Sequence, residues 1–442
     1  MVVSPRPAPP GSVAVTPSAG ASHDGVDGDI RPRGDFGSRP WRPGIGRDGP
    51  VSPPPTRTRV RVAFLTPTLL MGGAERWMIS LARSCDPRRI EWTGTALTEG
   101  APADAELCHE MAAYMPVYAG PGAGPPEGSP SITRRHSARA ALDAVLAGAD
   151  VLVAWGTHDL ARLVAGYSGP VVFVSHGSSD WTARAIRGSE SGATHFVAVS
   201  EAALRPFSPA IRGRAVVIPN GVDVPRCTPT MARERVRAAW GFDERHRLVG
   251  YVGRYSIEKD PTAAARAVAS LGGPYRAVYV GGGWMEAEVR RDVSRIAGGR
   301  ARFVPAGRQV GDVLSALDVF MLTSPAEGFS LAMAEAWYGG LPVVATRVGA
   351  VPELERRHGP LVAPVPINPR PEELAGAVAL ALSPTFGAEV VPRAREAVCR
   401  HYTAGAMARR WTDYLGSVVG GEGAPWDARS SPSSPSPAAA AS

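Results

Sequence analysis

Two glutamates, Glu327 and Glu335, lie in a segment whose residue types favour a strand, a turn and a helix. The apolar run 318–322 predicts a short buried strand, and Gly328 marks the turn. The run 330–337 combines a serine cap with Ala, Leu, Met and Glu, which are strong helix formers. A helix N-terminus at the carboxyl edge of a parallel sheet can bind an anion through its amides. A phosphate ligand with neighbouring hydroxyls would suit this arrangement. An ordinary loop with two solvated glutamates has the same local pattern.

Two more segments leave neighbouring predicted strands at the same edge. Arg254 and Lys259 follow one strand, and Gly281 and Gly282 begin a triple glycine after the next. Two cations, a group of exposed backbone amides and a helix dipole together form a diphosphate site that needs no metal. The alternative for Arg254 and Lys259 is a pair of solvated loop cations. The sequence contains no Gly-x4-Gly-Lys-Ser/Thr phosphate loop.

The charge of the chain comes almost entirely from arginine. The formal net charge is +7 and the pI is near 9.5, and of the 48 Lys and Arg residues only Lys259 is a lysine. The arginines are dispersed and no stripe of aromatic and basic residues occurs, so nucleic acid is not expected as a partner. A single retained lysine marks a position where a compact ammonium group fits and a planar guanidinium does not. Chance retention in an arginine-rich chain is the alternative.

Cysteine and acidic patterns give no sign of a metal or of a disulfide framework. The four cysteines are scattered and form no Cys-x-x-Cys pair, which favours a reduced, cytoplasmic protein without a zinc site. The only early Asp-x-Asp, Asp27-Gly-Asp29, lies in a Pro/Gly-rich segment. No cofactor and no metal are therefore expected.

The first half of the chain offers its own candidates at strand ends. Gly72 and Gly73 follow the strand at 59–66, and a glycine turn there allows the backbone to approach a phosphate or sugar. His176 directly follows another strand, so it should lie at the same ligand-binding edge. The alternatives are glycines kept for turn geometry alone and a structural histidine.

Strands and helices alternate along the chain, which predicts an α/β fold with two doubly wound, Rossmann-like parallel-sheet domains facing across a cleft. Helices are predicted at about 131–147 and 393–416, among others. The predicted organisation is a disordered Pro/Gly-rich tail (1–58), an N-terminal Rossmann-like domain (59–223), a linker (224–246), a C-terminal Rossmann-like domain (247–398), a crossing helix (399–420) and a second disordered tail (421–442).

A set of short motifs occurs in order over about 360 residues: Gly72-Gly-Ala-Glu75, His176-Gly177, Val199-Ser-Glu201, Pro219-Asn-Gly-Val-Asp223, Gly253-Arg254, Lys259, Gly281-Gly-Gly283, Glu327-Gly-Phe-Ser-Leu331, Glu335, Gly340-Leu-Pro-Val-Val-Ala-Thr346 and Gly349-Ala-Val-Pro-Glu353. With this set the chain resembles a retaining family 4 glycosyltransferase (the group 1 glycosyl transferases), which has the two-domain GT-B fold. Two departures from the family pattern are Asp260, where the family often has Gly, and Ala350, where a second Gly is common.

The resemblance implies a role for each candidate residue. Arg254 and Lys259 should neutralise the diphosphate of a UDP- or GDP-sugar as the leaving group gains charge. Glu327 should lie beside the donor sugar, and Glu335 should accept the ribose hydroxyls. The remaining roles are a distal-phosphate site on the amides of Gly328, Phe329, Ser330 and Leu331, and a sugar and acceptor side formed by Gly72, Gly73 and His176.

The resemblance therefore implies retaining, metal-independent transfer of a hexose from a nucleotide sugar to a hydroxyl group of a small molecule, lipid or polysaccharide. A lipid acceptor would bring the protein into peripheral contact with a membrane. Three other functions are compatible with the same fold. These are a nucleotide-sugar epimerase, a phosphorylase with Lys259 as a pyridoxal Schiff base, and a non-catalytic nucleotide-sugar-binding protein.

Overall fold

The computed structural model describes residues 59–70, 72–98, 103–122, 131–304 and 309–420. The disordered tails predicted at 1–58 and 421–442 lie outside the described residues.

The first sheet has eight parallel strands in the order β4-β3-β2-β1-β5-β6-β7-β8. Most of its inner strands are apolar and buried on both faces, as expected for a parallel sheet covered by helices. The strands are β1 (Val60–Thr66), β2 (Ile90–Leu97), β3 (Val117–Ala119), β4 (Thr133–Arg134), β5 (Val151–Trp155), β6 (Val171–Ser175), β7 (His195–Ala198) and β8 (Val216–Val217).

The second sheet has six parallel strands in the order β11-β10-β9-β12-β13-β14. These strands are β9 (Arg247–Val252), β10 (Tyr275–Val280), β11 (Ala301–Val304), β12 (Val319–Leu322), β13 (Val343–Thr346) and β14 (Ala363–Val365). The two sheets confirm the predicted pair of doubly wound, Rossmann-like domains.

The helices cover the faces of the sheets and connect their strands. They are α1 (Gly73–Ser84), α2 (Ala105–Ala112), α3 (Ala138–Leu146), α4 (Leu160–Leu163), α5 (Asp180–Arg187), α6 (Pro209–Arg212), α7 (Val224–Cys227), α8 (Arg233–Ala239), α9 (Ala263–Leu271), α10 (Glu286–Ala297), α11 (Val310–Ala316), α12 (Leu331–Tyr338), α13 (Val351–His358), α14 (Pro371–Ala381), α15 (Pro384–His401) and α16 (Ala404–Gly420). Short 3₁₀ turns include Ile257–Lys259.

Each sheet has one point at which its strand order reverses. In the first sheet β1 lies between β2 and β5, and in the second β9 lies between β10 and β12. Connections on the two sides of such a pair run to opposite faces of the sheet, which leaves a crevice at the carboxyl ends of the pair. The loops after β1, β5, β9 and β12 should therefore border the ligand sites.

The chain crosses between the domains twice, and the two crossings are hydrogen-bonded to each other. The amide of Val222 donates to the carbonyl of Tyr402 at 2.7 Å, and the amide of Ala404 donates to the carbonyl of Val222 at 2.8 Å. This pairing forms a parallel bridge between Val222 and Thr403 and interrupts the helix at that point. The single helix predicted at 393–416 is therefore wrong, because α15 ends at His401 and α16 begins at Ala404.

Helix α16 packs on the first domain, which confirms the predicted return of the C-terminal helix. The ring of Trp411 lies 5.5 Å from that of Trp77 in α1, and both side chains are fully buried. Arg89 and Asp413 form an ion pair of 2.9 Å at the edge of this contact. The C-terminal segment is therefore part of the core of the first domain.

Strands β3 and β4, at one edge of the first sheet, were not predicted. The segment 131–147, predicted to be helical, begins with strand β4 and becomes helical only at Ala138. Strand β3 lies in the Gly/Pro-rich region whose pattern gives no clear periodicity. Strands of two and three residues bury little surface of their own, and these two are fixed by pairing, β3 with β2 and β4 with β3.

Among the described residues, no single helix has the length and composition of a membrane span. The pair α14 and α15 passes that test only when the two helices are combined, across a bend of 80°. The four cysteines, Cys85, Cys108, Cys227 and Cys399, are free thiols, and the first three are buried.

Replacing Trp411 by alanine should lower the free energy of unfolding by about 3 kcal/mol, because a fully buried indole is lost from the contact between α16 and α1. Denaturant unfolding monitored by circular dichroism measures this change. The control is Val419→Ala in the same helix, whose side chain is 40% exposed and whose loss should cost less than about 0.5 kcal/mol. Equal stability of the two variants would contradict the proposed anchoring role of α16.

Candidate functional site

The loops after β9 and β10 are in backbone contact, and glycine makes this possible. A Cβ atom on Gly281 would lie 1.9 Å from the carbonyl oxygen of Gly253, and one on Gly283 would lie 3.1 Å from Cγ of Arg254. The amide of Tyr255 donates to the carbonyl of Gly282 at 2.8 Å. The triple glycine thus lies directly beside the loop that carries the two predicted cations.

Lys259 and Glu327 form the central ion pair of the site. The Nζ atom of Lys259 donates to Oε1 of Glu327 at 2.6 Å, which joins the loop after β9 to the turn after β12. The Glu327 side chain is only 9% exposed, so the ammonium group supplies the counter-charge that a buried carboxylate requires. Arg254 is more exposed, and its closest acidic partner is Glu258, at 3.5 Å.

Asp260 explains one departure from the family pattern. Its φ of 41° and ψ of 59° place it in the left-handed region, which glycine adopts freely and aspartate adopts more readily than most other residues. Its carboxylate accepts hydrogen bonds from Arg266 at 2.6 Å and from Thr323 at 3.2 Å. These contacts offset the backbone strain and fix the exit of the chain from Lys259. The second departure, Ala350, has a φ of −72° and requires no glycine.

The predicted anion-binding turn is confirmed in its geometry. Ser330 is the N-cap of α12, and its hydroxyl accepts from the amide of Met333 at 3.3 Å. Gly349, with a φ of 59°, packs on the turn so closely that a Cβ would lie 2.6 Å from the carbonyl oxygen of Gly328. The side chains of Phe329 and Leu331 are buried and anchor the turn in the core, and the N-terminus of α12 lies at the edge of the sheet.

Glu335 is separated from Glu327 and binds a different cation. Its Oε1 accepts from Nη1 of Arg226 at 2.6 Å, and its side chain is 9% exposed. Arg226 lies in α7, at the start of the linker between the two sheets. Glu327 and Glu335 therefore have separate partners, which agrees with separate roles and not with an acid–base pair.

The turn at Glu327 also contacts the first domain. The hydroxyl of Ser178 donates to the carbonyl of Glu327 at 2.7 Å, and the hydroxyl of Ser200 donates to that of Gly328 at 3.0 Å. A Cβ on Gly328 would lie 2.1 Å from the carbonyl oxygen of His176. The two domains are thus closed on each other at the point where the candidate donor and acceptor residues meet.

A second contact between the domains involves a buried carboxylate. Glu353 accepts from the amide of Glu201 at 2.6 Å, and Glu201 pairs in turn with Arg356. Burial raises the pKa of Glu353 to about 7, and the Glu201 amide and the nearby arginines oppose this shift only in part. The segments Val199-Ser-Glu201 and Gly349-Ala-Val-Pro-Glu353, both part of the family resemblance, therefore meet across the cleft.

His176 lies among aromatic rings. Its ring centroid is 4.7 Å from that of Trp77 and 5.6 Å from that of Trp155, with both pairs edge-to-face. Burial lowers the pKa of His176 to about 3, so the imidazole is neutral at physiological pH. A neutral imidazole can accept or donate a hydrogen bond but supplies no positive charge.

The Gly72-Gly73 turn reaches the second domain through Glu75. Its carboxylate covers Gly72, where a Cβ would lie 2.5 Å from Oε2, and its side chain is buried. Burial raises the pKa of Glu75 to about 7, and the positive charge of Arg254 partly opposes this. Gly73 has open space around its Cα. Glu75 is thus within electrostatic range of Arg254 in the second domain.

Several residues that contact the site lie outside the motifs singled out in the sequence and were not predicted. Arg226 is one of many arginines, and its partner Glu335 is over one hundred positions away in the chain. Ser178 and Ser200 are small polar residues without a distinguishing pattern. Glu201 and Glu353 lie in motifs that carry the family resemblance, but their contact across the cleft was not predicted.

Replacing Gly328 by alanine should open the cleft, because the new methyl group would overlap the backbone of His176. Small-angle scattering should show a larger radius of gyration, and any activity that needs closure should fall at least about tenfold. The control is Gly387→Ala in α15, where a Cβ meets nothing within 4 Å. An unchanged radius of gyration in Gly328→Ala would contradict the closed contact.

Replacing Glu353 by glutamine should reduce the pH dependence of stability. Between its unfolded pKa of about 4.5 and its folded pKa of about 7, the folded protein binds more protons, so stability falls as pH rises through this range. Glutamine still accepts from the Glu201 amide but does not titrate. The loss of stability between pH 5 and pH 8 should shrink by up to about 3 kcal/mol.

Thermal or denaturant unfolding at the two pH values measures this difference. The exposed Glu389→Gln is the matched control and should keep the wild-type slope. A Glu353→Gln protein with the wild-type slope would show that this carboxyl is ionised at low pH like an ordinary glutamate. Glu75 contributes in the same direction, so some slope should remain.

Two family models match the chain, one on each domain. The model described as Glycosyltransferase Family 4 matches residues 71–226, and the model described as Glycosyl transferases group 1 matches residues 246–383. The two matches include every candidate site residue named above.

Curated relatives match over shorter stretches. A GDP-mannose-dependent alpha-mannosyltransferase of Mycobacterium tuberculosis is 32% identical over 139 residues, which cover 31% of this chain and 35% of the relative. A 2-deoxystreptamine glucosyltransferase of Streptomyces kanamyceticus is 28% identical over 297 residues, covering 64% and 67%. The chain spans about a third of the length of the first curated relatives that it matches.

Solved structures share the fold. Anabaena Alr3699/HepE, in complex with UDP and glucose, superposes with a TM-score of 0.65 at 21% identity, covering 81% of this chain and all of that one. The sucrose-phosphate synthase of Thermosynechococcus elongatus has a TM-score of 0.60 at 17% identity, covering 82% of this chain and all of that one. The two-domain GT-B arrangement expected from the sequence is confirmed.

Proposed function

The chain belongs to the group 1 glycosyl transferases, and we propose that it transfers a hexose from a nucleoside-diphosphate sugar to a hydroxyl group of an acceptor, with retention of anomeric configuration. The observation that carries this proposal is the joining of Lys259, Glu327 and the α12 N-terminus at one edge of the second sheet, beside Arg254 and the triple glycine.

The charges of the site fit a diphosphate leaving group. Lys259 and Arg254 supply two positive charges, and the amides of 328–331 add the positive end of a helix dipole. Negative charge develops on the departing diphosphate, and cations fixed in advance stabilise it without reorganisation. These groups would do the work of a metal ion, so we propose transfer that needs neither a metal nor a cofactor.

Glu327 has two tasks in this proposal. Without donor its carboxylate holds Lys259, and with donor it accepts hydroxyl groups of the sugar while Lys259 turns to the diphosphate. Glu335 accepts the ribose hydroxyls through the oxygen that Arg226 leaves available. Because Glu335 is held by Arg226 in advance, ribose binding requires little ordering of this side chain.

The proposed donor and acceptor are inferred from the chemistry of the site and from the names of similar proteins. UDP is bound by the similar Anabaena protein, and GDP-mannose is named for the similar mycobacterial enzyme, so the base is proposed as uracil or guanine. Cyclitol-type acceptors occur in the names of several relatives, which favours a small polyhydroxylated acceptor over a polymer. Cell-envelope glycans and specialised metabolites are the proposed setting, in the cytoplasm.

Replacing Lys259 by glutamine should slow transfer and donor hydrolysis by at least about 100-fold, because a positive charge is removed from the leaving-group site. Replacing Glu327 by glutamine should have an effect of similar size, because the carboxylate that accepts the sugar hydroxyls and positions Lys259 is lost. Release of nucleoside diphosphate from UDP- and GDP-hexoses, assayed in EDTA, measures this. The control is Arg291→Gln, whose side chain is 71% exposed and lies outside the site. Folded Lys259 or Glu327 variants with near wild-type turnover would refute the proposal.

A further inference from the structure

Three buried polar atoms on the segments that follow β5 and β6 lack hydrogen-bond partners among the described residues. They are Nε1 of Trp155, Oγ1 of Thr157 and Nε2 of His176. Nearly all buried polar atoms in folded proteins are paired, since an unpaired one costs roughly 1–3 kcal/mol. Three such atoms on two neighbouring loops therefore have unused hydrogen-bonding capacity.

These atoms lie where the topology places a ligand. Trp155 ends β5 and Thr157 follows it, and β5 is paired with β1 at the reversal point of the first sheet. His176 directly follows β6, the next strand, and its ring lies 5.6 Å from the Trp155 ring. The crevice outside the carboxyl ends of such strands is the general ligand site of doubly wound sheets.

In the loop after β5 a backbone carbonyl is hydrogen-bonded, whereas the polar side-chain atoms of Trp155 and Thr157 have no partner. Gly156 has a φ of +65°, which turns the chain sharply after Trp155, and a Cβ there would press on Pro67 at 3.3 Å. The carbonyl of Thr157 accepts from the hydroxyl of Ser189, and the side chain is 1% exposed. The Thr157 hydroxyl is thus held in place without a partner.

The same groups are close to the candidate reaction centre. The backbone of His176 touches Gly328, the residue after Glu327, and Ser178 bonds to the carbonyl of Glu327. From Glu327 through Gly328 and His176 to Trp155 there is a continuous path of contacts. An acceptor on Trp155 would therefore present a hydroxyl group near the donor sugar.

We propose that Trp155 and Thr157 form an acceptor subsite for a neutral polyhydroxylated ring, a cyclitol or a sugar. The proposal rests on the glycosyl transfer proposed above. The indole N–H donates to a ring hydroxyl, the Thr157 hydroxyl bonds to its neighbour, and the half-buried Trp155 ring packs on the C–H face. Neutral partners suit a neutral ligand, and the low pKa of His176 keeps the imidazole uncharged.

Such a subsite gives specificity as well as affinity. A site that forms hydrogen bonds to substrate hydroxyls rejects analogues lacking them, because its own buried groups are then left unpaired. Consider an acceptor that lacks the hydroxyl bound by Trp155. Its affinity should be the same for the wild type and for a variant without the indole N–H.

Binding is tested on the full chain in the presence of UDP or GDP, with myo-inositol and methyl α-glucoside as probes and inositol 1-phosphate as the charged comparison. Saturation-transfer difference NMR gives the dissociation constants. Trp155→Phe removes the N–H and keeps an aromatic ring, and Thr157→Val removes the hydroxyl at equal size. Each should weaken the better neutral probe about five- to tenfold.

The matched control is Trp411→Phe. Trp411 also has a buried, unpartnered Nε1, but its ring contacts Trp77 and Tyr414 in the core of the first domain. This variant should bind the neutral probe within twofold of the wild type. Equal weakening by Trp155→Phe and Trp411→Phe would assign the effect to packing and overturn the proposal.

Two other outcomes would overturn the subsite. One is binding of neither neutral ring by wild-type protein that binds nucleotide and hydrolyses donor, in which case the transfer proposal stands and the subsite fails. The other is more than tenfold tighter binding of inositol 1-phosphate than of myo-inositol. Protein that binds neither nucleotide nor ring would refute the transfer proposal, and with it the subsite.

Discussion

The ion pair between Lys259 and Glu327 is the contact on which the site depends. The Glu327 carboxylate is almost fully buried, and a buried charge without a partner costs several kcal/mol. The pair therefore ties the loop after β9 to the turn after β12, the two loops at the reversal point of the second sheet. Asp260 and Gly349 shape the backbone on the two sides of this pair, one by a left-handed turn and one by close packing.

The same turn couples the two domains. The carbonyls of Glu327 and Gly328 are bound by Ser178 and Ser200, and Gly328 has no side chain, so the backbone of His176 can approach. Opening the cleft breaks these contacts without breaking the Lys259–Glu327 pair. The paired crossings at Val222 and Tyr402 are where such a motion must bend, since the chain passes between the domains there. In the proposed function, the donor side would be preformed and the acceptor side would be completed by closure.

The sequence could predict what local chemistry determines. The strand, turn and helix around Glu327 follow from an apolar run, a glycine and a serine cap within twenty residues, and the structure has them within one or two positions. The break of the predicted helix at Tyr402 could not be foreseen, because it is imposed by hydrogen bonds to Val222, far away in the chain. Arg226 was missed for the same reason. Its role depends on Glu335, and one arginine among many has no local signal.

In the proposed function, Lys259 and its neighbours bind the diphosphate of the donor. Titration calorimetry in EDTA should show that the wild type binds UDP or GDP at least about tenfold more tightly than the corresponding monophosphate. In Lys259→Gln this preference should fall to about twofold, with monophosphate affinity little changed. A preference for the diphosphate that survives the substitution would contradict the account.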